Sequence, residues 1–318
     1  MPNSNSSKRV KKTNQNKSVK TKNQDKNKKI PKNKKVKNGK NTHPKLKLAL
    51  KILLIIFLVL CVIAAGAIAA MMFGLFGDDF EITKDELTIG ISNTIVLDKD
   101  GNEIANLSTD EKRKIISLSE MADYLPKAYV AIEDKRFYSH NGVDIQRTAG
   151  AILGVITGQD RGGGSSITQQ LVKNITDEKA RSGIAGIIRK MKEWSKAVQV
   201  ERMISKDQIL ELYLNVIFVG GDNIHGVELG SIYYFNKNAK DLDLAECAFL
   251  AGINNSPNAY NPYDTTKDHS EAIKSRTLTV LKEMKDQGYI TNEEEYNAAV
   301  AKVEAGLTFT KGNTSSNY

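Results

Sequence analysis

Residues 52–77 form an uninterrupted run of 26 residues without a charged side chain, and that run decides how the rest of the chain can be arranged. About 20 apolar residues in a helix cross the hydrocarbon core of a bilayer, so a single transmembrane helix is expected here. The run is too long for the core of a signal peptide and lacks a convincing cleavage site, which leaves a cleaved signal as the weaker alternative. Lys45, Lys47 and Lys51 stand directly before it. The positive-inside rule therefore puts the N-terminus in the cytoplasm and everything after Asp78 outside the cell membrane.

The same run divides the charge. The net +9 of the chain combines +17 on residues 1–51, where 18 Lys and Arg face Asp25 alone, with −8 on the remainder. A Lys/Asn/Ser-rich segment with almost nothing apolar before Leu46 cannot bury a core and is expected to be a disordered basic tail. Basic runs bind nucleic acid or anionic lipid. Beside a membrane span the lipid headgroups are the partner, and an acidic outer part speaks against a nucleic-acid binder. Cys61 lies in the span and Cys247 beyond it, so the two cannot pair, and neither has metal-ligand spacing.

Five segments follow: a tail over 1–51, the span over 52–77, a connector with a β-hairpin over 78–108, a helical body over 109–305, and a C-terminal tail or start of a linker over 306–318. The hairpin is signalled by apolar runs on either side of Asp98-Lys99-Asp100-Gly101-Asn102. Pro126 suits the first turn of a helix, which is expected to continue through Phe137 until Asn141-Gly142 stops it. Further helices are expected over 145–156, 166–174, 187–203, 206–215, 243–253, 270–287 and 292–303, with a glycine-rich loop over 158–164. Residues 310–318 read as polar and unstructured. Strands are scarce after residue 108, so the body is mainly α, and about 240 residues suffice for one sizeable core.

Five blocks of this body carry chemistry. The first holds Glu133, Asp134, Phe137 and His140. At spacings of four and three, Glu133, Phe137 and His140 would share one helix face, and a carboxylate beside an aromatic is a better base. Alone, such an acid pair is an ordinary solvated helix end. The second block is Gly162-Gly163-Gly164-Ser165-Ser166-Ile167-Thr168-Gln169-Gln170, followed by Lys173. A glycine-rich turn opening a helix presents backbone N–H groups to an anion; without its company it would be a mobile linker, and it lacks the Gly-Lys-Ser/Thr ending of a nucleotide loop. In the third, Arg189 and Lys190 precede Glu193. With Lys173 and Arg181 they make a cluster of four cations suited to a pyrophosphate. The fourth, Glu211-Leu212-Tyr213-Leu214-Asn215, and the fifth, residues 245–252 with Pro257 and Tyr260, have the apolar helical spacing of core.

Taken in order, these blocks resemble the five motifs of the peptidoglycan glycosyltransferase domain of class A penicillin-binding proteins and monofunctional transglycosylases, over roughly residues 110–300. The resemblance implies a lysozyme-like, two-lobed helical domain that polymerises lipid II into glycan strands. It implies that Glu133 is the catalytic base, taking the proton from the GlcNAc 4-hydroxyl. Undecaprenyl pyrophosphate then leaves with inversion, the acceptor hydroxyl standing where water stands in inverting hydrolysis. Glu193 matches a second essential acid. Lys173, Arg181 and Lys190, with Arg189, match cations that hold the leaving pyrophosphate. Asp134, Phe137, His140, Ser165, Thr168, Gln169 and Gln170 fall in the substrate-binding motifs. No cofactor is required; a divalent cation, Mg or Mn, is compatible with the pyrophosphate, though no dedicated ligand set appears. The helix over 145–156 would dip into the membrane surface. Partners would be lipid II, the nascent strand, the membrane and other cell-wall synthesis proteins. Two positions depart from the pattern: Ser166 replaces a threonine, and Gly150 replaces a donor-site arginine that Arg147 would have to stand in for.

Three other readings compete. A hydrolase on the same scaffold would have no phosphate for these cations to hold. An inactive lipid II-binding scaffold would be expected to lose Glu133, Glu193 or Lys173, and all three are present. The chain is also compatible with the N-terminal part of a bifunctional enzyme, although no Ser-x-x-Lys motif of a transpeptidase occurs within it.

Overall fold

The computed structural model describes residues 44–72, 78–88, 93–97, 103–108, 112–158, 163–176, 183–221 and 223–314. Helix α1, Pro44–Met72, begins before the charge-free run because lysine is a good helix former and proline is tolerated at a helix start. At 29 residues it is about 44 Å long, more than the ~30 Å of a bilayer core. It is a helix long and apolar enough to cross a membrane. Most of the predicted basic tail, and residues 73–77 of the predicted span, lie outside the described residues.

Strands β1 (Asn93–Leu97) and β2 (Glu103–Ser108) pair antiparallel, as the hairpin signal predicted; the turn between them lies outside the described residues. A second small sheet joins β3 (Lys112–Arg113), β4 (Phe218–Gly220) and β5 (Ile224–His225) in the order β3-β5-β4. The rest of the body is helical: α2 (Tyr124–Glu133), α3 (Ile145–Thr157), α4 (Ile167–Thr176), α5 (Gly183–Met203), α6 (Lys206–Val216), α7 (Val227–Phe235), α8 (Leu244–Gly252), α9 (Ser270–Asp286) and α10 (Glu293–Ala305). Mainly helical, with one small hairpin and a preceding apolar helix, this is the expected fold class.

The helices pack in two groups. One is α2, α8, α9 and α10; the other is α4, α5 and α6. Helix α7 is buried along its whole length and touches a member of each, α6 and α8. A single apolar core runs through both groups, with Tyr129, Tyr213, Tyr234, Phe137 and Phe249 as its largest fully buried side chains.

Three expectations change. Helix α2 stops at Glu133 and does not reach Phe137. Asp134 leaves the helical region at φ −154°, ψ 77°, and its carboxylate is drawn to the start of α4, accepting the Ile167 N–H at 3.0 Å. The chain then makes only a 3₁₀ turn, Phe137–Ser139. Residues 78–88 fold onto the body. The Phe80 carbonyl accepts from Ser195 Oγ at 3.0 Å and Gln199 Nε2 at 2.7 Å, and Ile82 and Leu87 join the core. Residues 310–314 are also placed. The N–H groups of Thr310 and Gly312 reach the carbonyls of Tyr234 and Ile232 at 3.0 and 3.1 Å, and Phe309 stacks on Phe235. Ile232 O also accepts from Asn236 N and Tyr234 O from the Tyr263 hydroxyl, each at 2.9 Å, so this segment adds a second donor to carbonyls at the end of α7.

Candidate active site

Glu133 is the last residue of α2, and its backbone is fixed before its side chain is considered. The final carbonyls of a helix have no partner within it. Here Val130 O accepts from Asp134 N at 3.0 Å, Ala131 O accepts from Gln287 Nε2 at 2.9 Å, and the Arg147 guanidinium donates to Glu133 O. One turn earlier, Tyr129 OH donates to Leu250 O at 3.0 Å and ties α2 to α8.

The Glu133 carboxylate belongs to a closed ring of four side chains. Its Oε2 accepts from Gln170 Nε2 at 3.0 Å, and its Oε1 accepts from Asn254 Nδ2 at 3.1 Å. Asn254 Nδ2 also donates to the Tyr213 hydroxyl at 2.9 Å, which donates in turn to Gln170 Oε1 at 3.2 Å. Burial, reinforced by the charge of Glu133, pushes the Tyr213 phenol well above its usual range, so it remains an O–H donor. Glu133 and Asn254 come from one helix group, Gln170 and Tyr213 from the other. An ionised carboxylate accepts about four hydrogen bonds, so two neutral amides leave Glu133 with lone pairs for a substrate proton.

Behind this ring the first two blocks interlock. Asp134 is fully buried, with Oδ2 2.9 Å from His140 Nε2 as well as on Ile167 N. Phe137 is fully buried, with Lys206 Nζ over its ring at 4.4 Å. Lys206 donates to His140 O and to Glu201, each at 2.7 Å, and Glu201 accepts from Thr168 Oγ1 at 2.6 Å. Ser166 and Gln169 form a reciprocal cap at the start of α4: Ser166 Oγ accepts from Gln169 N, and Gln169 Oε1 accepts from Ser166 N. Asp134, Phe137, Thr168 and Gln169 therefore build the wall of the site from within, and Ser166 supplies the hydroxyl expected of the threonine it replaces. Gly142 allows this closeness: at φ +86°, a Cβ there would meet Ala197 O at 2.6 Å.

The third block forms the other half. On α5, Glu193 is buried and holds Arg189 on one oxygen and Lys190 on the other, the latter at 2.8 Å. Lys190 Nζ also donates to Ser165 Oγ at 2.7 Å, just before α4. Burial, then the positive charges of Arg189 and Lys173, push the Lys190 ammonium down to about 8. Two cations share the one acid Glu193, and the charge of Lys173 reaches Lys190 as well, which leaves a local surplus of positive charge. Arg181 lies outside the described residues. Glu193 has both oxygens on cations, so it does not fit the part of a metal ligand, and among the described residues no three His, Cys, Asp or Glu side chains come together.

Beside these clusters lie exposed apolar side chains: Ile145 and Leu153 on α3, Ile187 and Ile188 on α5. At Gly150 on α3 the space around a Cβ would be open. Arg147 is committed to Glu133 O. The fourth block is structural in part: Glu211 and Asn215 fasten the backbone of Leu118 and Ile116. Sequence reasoning passed over Tyr213 and Asn254 as site residues. Tyr213 lies in the fourth block, whose apolar helical spacing reads as core, and Asn254 lies in a turn-like Asn-Asn-Ser with no local mark.

A carboxylate with free lone pairs can take a proton, and a cluster of cations with a hydroxyl can hold an anionic leaving group. The sequence profile of the transglycosylase family matches residues 100–285. Penicillin-binding protein 1A of Clostridium botulinum (strain Langeland) is 37% identical over 286 residues, covering 88% of this chain and 34% of the relative. Penicillin-binding protein 1F of Bacillus subtilis is 38% identical over 255 residues, covering 79% and 34%. The chain thus spans about a third of the length of the curated relatives it matches. Among solved structures, penicillin-binding protein 1A from Haemophilus influenzae covers 68% of this chain and 21% of its own at 23% identity, with a TM-score of 0.38. That superposition is too loose to bear on the site.

Proposed function

The chain belongs to the transglycosylase family found in class A penicillin-binding proteins, and from that premise we propose that its body polymerises lipid II into the glycan strands of the cell wall. The observation that carries this reading is the double use of α4. Gln170 on that helix holds the proposed base Glu133, and Ser165 just before it holds Lys190 in the cation cluster.

In this reading Glu133 takes the proton of the GlcNAc 4-hydroxyl of an incoming lipid II. The freed oxygen attacks the anomeric carbon of the MurNAc at the reducing end of the growing strand, and the bond to undecaprenyl pyrophosphate breaks with inversion. Lys190, Arg189, Lys173 and Arg181 hold the pyrophosphate, with Ser165 as a further donor. Glu193 keeps two of those cations in place. A divalent cation, Mg or Mn, would add charge at the phosphate oxygens; Glu193, with both oxygens on cations, is not its ligand, and the chain's own cations carry the larger part of that charge. The exposed Ile145, Leu153, Ile187 and Ile188 favour a lipid-facing edge beside the site. Helix α1 then anchors the body to the membrane with the basic tail in the cytoplasm, and other cell-wall synthesis proteins are its natural partners.

The test is strand formation from labelled lipid II by the detergent-solubilised protein, with Glu133→Gln beside it. A general base is worth roughly 10²- to 10⁴-fold, so the variant should lose at least about 100-fold in kcat. Wild-type protein that binds lipid II but makes no polymer would point to a scaffold; release of cut strands from finished glycan would point to a hydrolase.

A further inference from the structure

The ring around Glu133 assigns a task to two residues outside the proposed machinery, an inference that rests on the proposed glycosyltransferase reading. We infer that Asn254 and Tyr213 are positioning residues for the catalytic base, holding the Glu133 carboxylate from the side opposite Gln170 so that its free lone pairs face the acceptor hydroxyl.

Every hydrogen bond in the ring has one direction. Asn254 Nδ2 has two N–H groups, and both are used, one on Glu133 Oε1 and one on the Tyr213 oxygen. The Tyr213 hydroxyl has one proton, and it goes to Gln170 Oε1. That leaves Gln170 Nε2 to face Glu133 Oε2. Turning either amide over would set its carbonyl oxygen against the carboxylate. One arrangement therefore satisfies all four groups, and each member fixes the next. Without Asn254, Gln170 alone would hold the carboxylate, and the carboxylate could swing about that contact.

The position of Asn254 is itself determined. It lies in the short 3₁₀ turn Ile253–Asn255 that follows α8. Arg276 Nε caps the end of that helix by donating to Gly252 O at 2.9 Å, and a Cβ at Gly252 would press on Arg276 and Val280 of α9 at 3.3 and 3.4 Å. The packing of α8 on α9 thus sets where the turn begins, and the packing of α2 on α8 brings the turn opposite Glu133. Asn254 is only half-buried, so shortening it removes a donor without opening the core.

The experiment measures kcat and KM for polymerisation of labelled lipid II by the full chain carrying Asn254→Ala, Tyr213→Phe or Asn254→Asp, with a thermal melt of each. A base released from its ring should lose about 10- to 100-fold in kcat, the cost of displacing a reacting group by about 1 Å, while KM stays within about twofold. Asn254→Asp sets a second carboxylate against Glu133 and should be the most damaged, although it is as large as asparagine. In the Glu133→Gln background, Asn254→Ala should have no further effect, because it acts through the residue already removed. Overturning results are a wild-type kcat in Asn254→Ala, or equal losses in both backgrounds, which would mark a merely structural contact. Wild-type protein without polymerase activity would bring down the functional reading and this one with it, whereas an active wild type with unaffected ring variants removes this inference alone.

Discussion

Raising the pH from 7 to 9 should weaken donor binding through Lys190. Its ammonium is held down at about 8, first by burial and then by Arg189 and Lys173. A bound pyrophosphate brings opposite charge to the same spot, so binding favours the protonated form and must take up a proton whenever Lys190 is neutral. If only protonated Lys190 binds, affinity falls by about tenfold between pH 7 and 9, or about 1.4 kcal/mol, with nearly one proton absorbed per ligand at pH 9. Lipid II suits the test because its pyrophosphate is a diester and does not titrate in this range. Binding would be followed by calorimetry on Glu133→Gln, in two buffers of different ionisation enthalpy. Lys190→Arg supplies the control, since arginine stays charged and its affinity should be level across the same range. Stability should move the other way. A lysine whose folded value lies below its unfolded value opposes folding in full below about 8, and that burden lifts as the pH rises from about 8 toward 10.5. Level affinity between pH 7 and 9, or the same fall in Lys190→Arg, would refute the placement of Lys190 against the donor anion.

Other outcomes follow from single positions. Gly142→Ala forces a Cβ toward Ala197 O at a left-handed φ, and should cost at least about 2 kcal/mol, read as a melting temperature lower by several degrees. Gly150→Ala fills open space inside α3 and should stabilise by up to about 1 kcal/mol without loss of activity; a fall in melting temperature would show that α3 needs glycine there. Asp144 caps α3 through the Arg147 N–H at 2.9 Å, and although burial acts to raise its pKa, that bond and the Arg136 guanidinium hold the carboxyl below its usual range. Its stabilising effect is therefore present above pH ~4 and lost as pH falls through the lowered folded value, so Asp144→Asn should melt with a shallower acid-side decline between pH 5 and 2 than the wild type.

What was legible in the sequence divides by distance along the chain. The trio on α5 could be read because Arg189, Lys190 and Glu193 lie within one helical turn of each other, and helical spacing alone brings them together. The stop of α2 at Glu133 could not. The group that ends it is the Asp134 carboxylate, and its partner is the Ile167 N–H, 33 residues further on. An apolar pattern running on to Phe137 shows only that Phe137 is buried, and a buried residue in a 3₁₀ turn satisfies that pattern equally well. Residues 310–314 were misread for a similar reason. Thr310 and Gly312 carry no signal of their own, and their N–H groups pair with carbonyls near the end of α7, more than 70 residues earlier. Asn254 is the extreme case, since its partner Glu133 lies 121 residues away on another helix.

The same distinction separates the two glutamates. Both are acids on helices in matching motifs, and residue type alone assigns neither a role. Glu193 has its two oxygens on Arg189 and Lys190, so its charge is spent on the cations that a pyrophosphate would meet. Glu133 has its two oxygens on the neutral amides of Gln170 and Asn254. Neutral donors fix the orientation of a carboxylate without cancelling its charge, whereas a pair of cations does cancel it. A proton acceptor has to be both oriented and uncompensated, and only the partners at Glu133 give that combination. The local sequence supplied one of those partners, Gln170 in the second block. The other comes from the packing of α2 on α8, which is why the contrast behind the proposed division of labour between the two acids emerges only once the helices are assembled.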